Sequence, residues 1–261
     1  MEANQSKKVN QNGLEAKCGA LNALVDFQLQ FEKALTALKI RDTHLRKNNT
    51  IDPETEALLL ESETFKKEFI LKPVKRLLES HPAYPWFSRV KGVGNENIAK
   101  VVSLIDITKA ETVSSLWKYA GYAVVDGTAE RPKKGEKLHF NKTLKTMCYR
   151  LGVSLLKAHG ISKNGTKFGA LYKEYYAEEV TKAEKLGLKI ADVADIPKGK
   201  ESGYMNSLHV HNRAFRRMIK IFLSCLYIYW RQAKGLPIRD PYAIEKMGHT
   251  TIIQPEEMTD R

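Results

Sequence analysis

Two glycines, Gly92 and Gly94, have the spacing of a phosphate-binding turn. Glycine has no Cβ, so the backbone there can take a positive φ and reverse sharply. Backbone N–H groups at such a turn, beside the start of a helix, favour an anion. Because apolar residues flank both sides, the pattern predicts a helix-hairpin-helix that binds nucleic-acid phosphates without reading bases. A turn between two helices with no ligand is the alternative. The predicted contact residues here are Lys91, Gly92, Val93, Gly94, Asn95 and Lys100.

Three further stretches are basic. Residues 124–137 are rich in turn formers and lysines, which predicts an exposed loop or small ribbon. A helix opens near Asn141, and a last helix, about residues 207–234, carries its cations on a different face from its apolar stripe. That face is either solvated or a phosphate contact. The predicted contact residues in these stretches are Lys133, Lys134, Lys142, Lys145, Arg213, Arg216, Arg217 and Lys220.

Catalytic and metal sites are poorly supported by the pattern. Two-metal phosphoryl chemistry needs several converging acids, whereas the aspartates before residue 130 are scattered and mostly suited to capping or solvation. His209 and His211 on one helix would point to different faces, which disfavours a zinc site with His249 or Cys225. We therefore expect no metal, no cofactor and no complete catalytic constellation.

Charge indicates a polyanionic partner. Among 261 residues, 43 Lys and Arg outnumber 30 Asp and Glu, for a net charge of +13 and a pI near 9.5, which suits DNA or, as an alternative, RNA. No signal peptide, spanning apolar run or lipidation motif is recognisable, so we expect a cytoplasmic location and no membrane partner. The three cysteines are too far apart to indicate a disulfide framework.

The predicted fold is mainly α, with a long N-terminal helical arm or coiled coil followed by a helix-hairpin-helix core. Residues 1–12 are polar and are expected to be disordered. Leucine and phenylalanine recur every seven residues from Leu24 to Leu45, which indicates a seam for a homodimer through residues 14–46, an intramolecular hairpin, or a helix packed within the monomer. The expected divisions are the tail 1–12, the arm 13–80, the helix-hairpin-helix domain 81–190, and a basic helix with its tail, 191–261.

The chain also resembles a known family. The motifs Val90-Lys-Gly-Val-Gly, Leu116-Trp-Lys-Tyr-Ala-Gly-Tyr, Lys134-Gly-Glu-Lys and Asn141-Lys are similar to the C-terminal half of the DEDD-type insertion-sequence transposases. The resemblance covers about residues 60–160, and the helices of residues 14–80 are similar to the coiled-coil connector before that half. It implies a DNA-binding protein of a mobile element, associated with a prokaryotic nucleoid.

Two departures from the family bear on catalysis. Family members carry an N-terminal RuvC-like domain whose four acids bind metal, and this chain starts after the point where that domain would end. They also have a nucleophilic serine after the alanine-glycine segment, where residues 124–137 offer only the hydroxyl of Thr128. We therefore expect phosphate binding without cleavage. The alternatives are a diverged transposase or recombinase that uses Thr128 and a separate catalytic subunit, and an RNA-binding scaffold subunit of a larger complex.

Overall fold

The protein is mainly α-helical, as the sequence predicts. A computed structural model describes residues 2–50, 52–125, 128–130, 134–135, 137–239 and 253–261. The helices are α1 Glu2–Lys47, α2 Pro53–Phe65, α3 Lys72–Leu78, α4 Tyr84–Phe87, α5 Asn95–Ser103, α6 Val113–Tyr119, α7 Lys142–Ile161, α8 Lys167–Lys185 and α9 Ser207–Ala233. The short strands are β1 Val124–Val125, β2 Thr128–Ala129, β3 Lys189–Ala191 and β4 Tyr204–Asn206. In this part of the chain no helix is long and apolar enough to span a bilayer.

The chain forms two compact units, and both are discontinuous in sequence. Unit 1 comprises residues 1–84 and 95–105, and unit 2 comprises residues 85–94 and 106–261. These boundaries differ from the expected divisions at residues 80 and 190, because ten residues that include the hairpin turn pack with the C-terminal helices.

In unit 1, α1 packs against α2, α3 and α5. Its most buried residues are Leu21, Val25, Gln28 and Leu35, whereas the seam from Leu24 to Leu45 is only half-buried. Of the three arrangements left open for this helix, packing within the chain is therefore present. The helix begins at Glu2, so helical backbone covers the segment for which we expected disorder.

The helical stretch from α2 to α3 in unit 1 begins and changes geometry at residues that favour both. Asp52 caps α2, its carboxylate accepting the Glu54 N–H, and Pro53 takes the first helical position. A π-helical segment, Lys66–Leu71, then leads into α3. Pro73 lies in the first turn of α3, and since proline lacks an N–H and crowds the preceding turn, it accounts for this change in helical geometry.

Unit 2 is organised around α9, which α6, α7 and α8 contact. The predicted apolar stripe is confirmed, because its members Phe215, Met218, Ile219, Phe222, Leu226 and Trp230 are all buried. Each of the helices α6 to α9 begins with a side-chain cap. The capping residues are, in chain order, Thr112, Asn141, Thr166 and Asn206.

Two short two-stranded sheets lie in the connections between helices. β1 pairs with β2 antiparallel, Val124 opposite Ala129, which is the small ribbon predicted in the basic loop. β3 pairs with β4 in parallel, Lys189 opposite Tyr204. This pairing holds the segment 189–206 at both of its ends.

Candidate nucleic-acid interface

The hairpin turn of unit 2 lies directly on α7. Trp86 and Phe87 of α4 are buried and anchor its first arm. Gly92 has a φ of 91°, and a Cβ at this position would lie 2.8 Å from Cα of Leu155 and 2.9 Å from Cβ of Ala158. Gly92 is therefore required twice, for its backbone conformation and for the close approach to α7.

Gly94 has neither constraint. Its φ is not in the positive region, and a Cβ there would meet no atom within 4 Å. The expectation of a positive φ is confirmed at Gly92 and wrong at Gly94, because the reversal is complete before α5 begins at Asn95. The Val93 N–H closes the turn by donating to the carbonyl of Val90, at 3.3 Å.

One backbone donor of the hairpin is bound by a carboxylate from the same chain. The Lys91 N–H donates to Oδ2 of Asp260 at 2.8 Å, and the Lys167 N–H, at the start of α8, donates to Oδ1 at 2.8 Å. Within the described residues, the N–H groups of Gly92 and Gly94 have no hydrogen-bond partner. The turn thus presents the donors that a phosphate requires, and a carboxylate already engages one of them.

The loop before α8 is held by a histidine. His159 Nδ1 accepts the Thr166 N–H at 2.8 Å, and Thr166 in turn caps α8 by accepting the Gly169 N–H at 3.2 Å. Gly165 and Gly169 lie so close to the His159 ring that a Cβ at either would overlap it. This packing fixes the direction in which the first N–H groups of α8 point.

A second cationic region lies where α7 meets α9. We call it the α7–α9 face and define it by Lys142, Lys145, Arg216 and Lys220. Lys142 and Arg216 are exposed. The Nζ of Lys145 lies 4.3 Å from the centroid of the Phe140 ring, and the Nζ of Lys220 lies 4.0 Å from that of Trp117. The aromatic rings thus hold two of the four ammonium and guanidinium groups in place.

Positive charges on this face act on one another. Burial lowers the pKa of Lys145, and the charge of Arg216 lowers it further, while Glu130 opposes both. Burial also lowers the pKa of Lys220, with a contribution from Arg217. Arg216 forms no salt bridge with a described residue. A phosphate placed here would relieve repulsion between groups that the fold already holds together.

The other two arginines of α9 are paired. Arg213 contacts Glu179 at 3.3 Å, and Arg217 contacts Glu178 at 2.6 Å and stacks over Tyr175. Helix α9 carries no acid between its cations, as the sequence indicates, but α8 supplies carboxylates from across the helix interface. Arg213 and Arg217 are therefore weaker candidates for phosphate contact than Arg216.

Lys100 is not available to a ligand. It lies in unit 1 and is only 1% exposed, with its Nζ 2.7 Å from Glu32 and 3.0 Å from Glu96. The expectation that it contributes surface charge is corrected, because its buried ammonium is paired with two half-buried carboxylates. Asn95, also in unit 1, is half-buried at the start of α5.

The remaining predicted residues belong to the basic stretch 124–137. Lys134 is exposed. Lys133 lies outside the described residues, and for Thr128 only the backbone, in β2, is described. The role of Thr128 as a substitute nucleophile stays a prediction.

Among the described histidines, cysteines and acids, no group of three converges on a position that could hold a metal ion. His211 Nδ1 is hydrogen-bonded to the Tyr172 hydroxyl at 2.7 Å. Burial raises the pKa of the Cys225 thiol to about 12, so this sulfur behaves as part of the core.

Sequence reasoning missed Asp260, Lys167 and His159. Thr166 gives a local signal for Lys167, since a threonine with N-cap character marks the start of a helix, where the first backbone N–H groups lack intrahelical acceptors. No local signal exists for Asp260, whose contact with Lys91 joins positions 169 residues apart.

Comparison with known proteins gives no relative: no protein-family model, curated protein or solved structure matches this chain. Any function must therefore be argued from the residues themselves.

Proposed function

We propose that this chain binds DNA through the backbone phosphates, using unit 2. The observation that carries the proposal is the α7–α9 face, where the half-buried Lys145 acts on the exposed Arg216 and the half-buried Lys220 lies one helical turn further along α9. Among the described residues no carboxylate forms a salt bridge with Arg216. Such clustering costs electrostatic free energy unless an anion is bound. The net charge of +13 gives the whole chain the sign that attracts a nucleic acid.

The hairpin of unit 2 supplies a second kind of contact. The Lys91, Gly92 and Gly94 N–H groups are uncharged donors whose direction the backbone fixes, whereas the α7–α9 face supplies long cationic side chains. Neither group of donors would contact base edges, so the binding should be largely independent of sequence. Lys134 and Lys142, both exposed, would extend the cationic surface.

The choice of DNA, and of a mobile element as its setting, rests on the transposase-like motifs of residues 60–160. We propose a transposase-like DNA-binding protein that acts at a prokaryotic nucleoid and has no cleavage activity of its own. An RNA-binding scaffold would use the same phosphate chemistry, and the binding experiment below separates the two.

The first prediction concerns Arg216. Replacing it with glutamine should weaken binding to a labelled DNA duplex several-fold and reduce the slope of log affinity against log salt by about 1, because one phosphate contact is lost. The measurement is fluorescence anisotropy across a salt series. Arg213→Gln on the same helix is the matched control, and since Arg213 is paired with Glu179, we expect a smaller change in slope.

Three outcomes decide the proposal. An affinity that hardly changes with salt would contradict phosphate binding altogether. Equal effects of Arg216→Gln and Arg213→Gln would remove the α7–α9 face from the interface. Tighter binding of single-stranded or duplex RNA than of DNA would favour the scaffold alternative.

A further inference from the structure

The C-terminal segment, residues 253–261, packs across the hairpin in unit 2. Pro255 and Met258 are buried. The indole N–H of Trp86 donates to the carbonyl of Pro255 at 2.7 Å. An open groove of about 500 Å³ remains between this segment and α8, lined among others by Lys167, Glu174 and Ile253. The segment is thus held at defined points and leaves space along its edge.

Asp260 is the point at which the segment meets the anion donors. Its own N–H donates to the carbonyl of Arg89 at 3.0 Å. Its two carboxylate oxygens accept separate N–H groups, one from Lys91 in the hairpin and one from Lys167 at the start of α8. The carboxylate therefore bridges two elements that are far apart in sequence.

This arrangement has the chemistry of a bound phosphate. Two oxygens of one anion accept charge-assisted hydrogen bonds from backbone donors that are fixed in direction. The Lys91 N–H belongs to the turn that we propose binds DNA. The Lys167 N–H lies at the N-terminus of α8, the positive end of a helix of 19 residues. A DNA phosphate that used the Lys91 N–H would need the place that Asp260 occupies.

We infer that the C-terminal segment is an autoinhibitory element, in which the Asp260 carboxylate occupies the phosphate position at the hairpin and competes with DNA. The inference rests on the proposed function. Only the fraction of molecules whose segment has left the hairpin can bind DNA with both regions, so the apparent affinity is reduced by that fraction. Molecules with the segment in place retain the α7–α9 face alone.

The test compares two variants of the full chain that each remove one negative charge from the segment. Asp260→Asn keeps an oxygen acceptor for one N–H but loses the carboxylate. Glu256→Gln is the matched control, because Glu256 is exposed in the same segment and its side chain does not reach the donors. We expect Asp260→Asn to bind a DNA duplex at least about fivefold more tightly than wild type, and Glu256→Gln to stay within about twofold.

A second measurement reports on the donors directly. Amide hydrogen exchange at Lys91 and Lys167 should be slow in wild type, faster in free Asp260→Asn, and slow again when that variant binds DNA. A purely structural role for Asp260 would instead lower the free energy of unfolding of Asp260→Asn without raising its affinity for DNA.

The outcomes separate the inference from the proposed function. If wild type binds DNA and the two variants match each other, the competition is overturned while DNA binding stands. If neither wild type nor Asp260→Asn binds DNA at low salt, both are overturned. Tighter binding by Asp260→Asn alone, with renewed protection of the two amides, supports the competition.

Discussion

Gly92 shows how one residue can serve the fold where the sequence indicates a ligand. Its spacing with Gly94 predicts a phosphate-binding turn, yet the contact with Leu155 and Ala158 explains its lack of a side chain without any ligand. Substituting Gly92 would disturb the packing on α7 and any DNA contact together. Variants on the surface, such as Arg216→Gln, are therefore the cleaner tests of binding.

Stability measurements should separate the two glycines. Gly92→Ala combines a positive φ with a Cβ at 2.8 Å from backbone, so we expect it to lower the free energy of unfolding by about 2–4 kcal/mol. Gly94→Ala, which meets nothing within 4 Å, should change it by less than about 1 kcal/mol. Urea denaturation measures both, and equal losses would contradict the assigned difference.

At the scale of elements, a half-buried ionic cluster joins α1, α5 and the π-helical segment within unit 1. Glu32 of α1 contacts Lys100 at 2.7 Å and Lys66 at 3.0 Å, and Glu96 shares both lysines. Burial acts to raise the pKa of Glu32, but its hydrogen-bond partners outweigh burial and lower it to about 2. Those partners are Glu96, Lys100, Gln28 and Lys66.

This cluster gives unit 1 a defined acid sensitivity. Because the pKa of Glu32 is lowered from 4.5 to about 2 on folding, its stabilising contribution is complete above about pH 4.5 and is lost as the pH falls toward 2. Glu32→Gln should lower the free energy of unfolding by up to about 3 kcal/mol at pH 7, and less as the pH falls. Urea denaturation from pH 7 to pH 2 tests this, with exposed Glu61→Gln as control. A constant difference between Glu32→Gln and wild type would contradict it.

Much of the element order could be predicted because it is encoded locally. Asp52 with Pro53, Thr112 and Asn141 mark helix starts through side-chain hydrogen bonds to the next turn. The apolar stripe of α9 follows from helical periodicity. The expected bounds of this helix, residues 207–234, differ from the observed bounds by a single residue at the C-terminal end. These signals depend only on near neighbours in sequence.

The features that could not be predicted depend on contacts between segments that are distant in sequence. Nothing near Lys100 in sequence shows that Glu32 of α1 will pair with it, and nothing near Arg213 shows that Glu179 of α8 will do so. For the same reason the candidate site was predicted only in part, since Lys145 and Arg216 were recognised as cations but their proximity and the position of Asp260 were not.

On the scale of the whole molecule, the chain crosses between its two units three times. It leaves unit 1 after Tyr84, returns at Asn95, and leaves again after Ile105. Residues 85–94 therefore belong to unit 2 although they lie between two segments of unit 1. A cut in the chain at residue 105 would keep all of unit 1 in one fragment but would remove the hairpin from unit 2.

Fragments should show this asymmetry. We expect residues 1–105 to unfold cooperatively by circular dichroism, since every segment of unit 1 is present, and residues 106–261 to unfold with a broader, less stable transition. Trp86 is the single tryptophan of the first fragment, and without Phe222 and Pro255 around its ring its emission should shift to the red. The difference between the spectra of the full chain and its Trp86→Phe variant gives the emission of Trp86 in the native protein. If the emission of residues 1–105 were not shifted from it, the assignment of residues 85–94 to unit 2 would be contradicted.

The burial of Trp86 also sets an order of events during synthesis. Its indole N–H donates to the carbonyl of Pro255, 169 residues later in the chain, and its ring contacts Phe222 of α9. A nascent chain that has released the hairpin but not α9 must expose Trp86 and Phe87, two large apolar side chains, for the time that the ribosome needs to reach the C-terminal helix. We therefore expect residues 85–94 to reach their native packing only after α9 has been synthesised, later than unit 1.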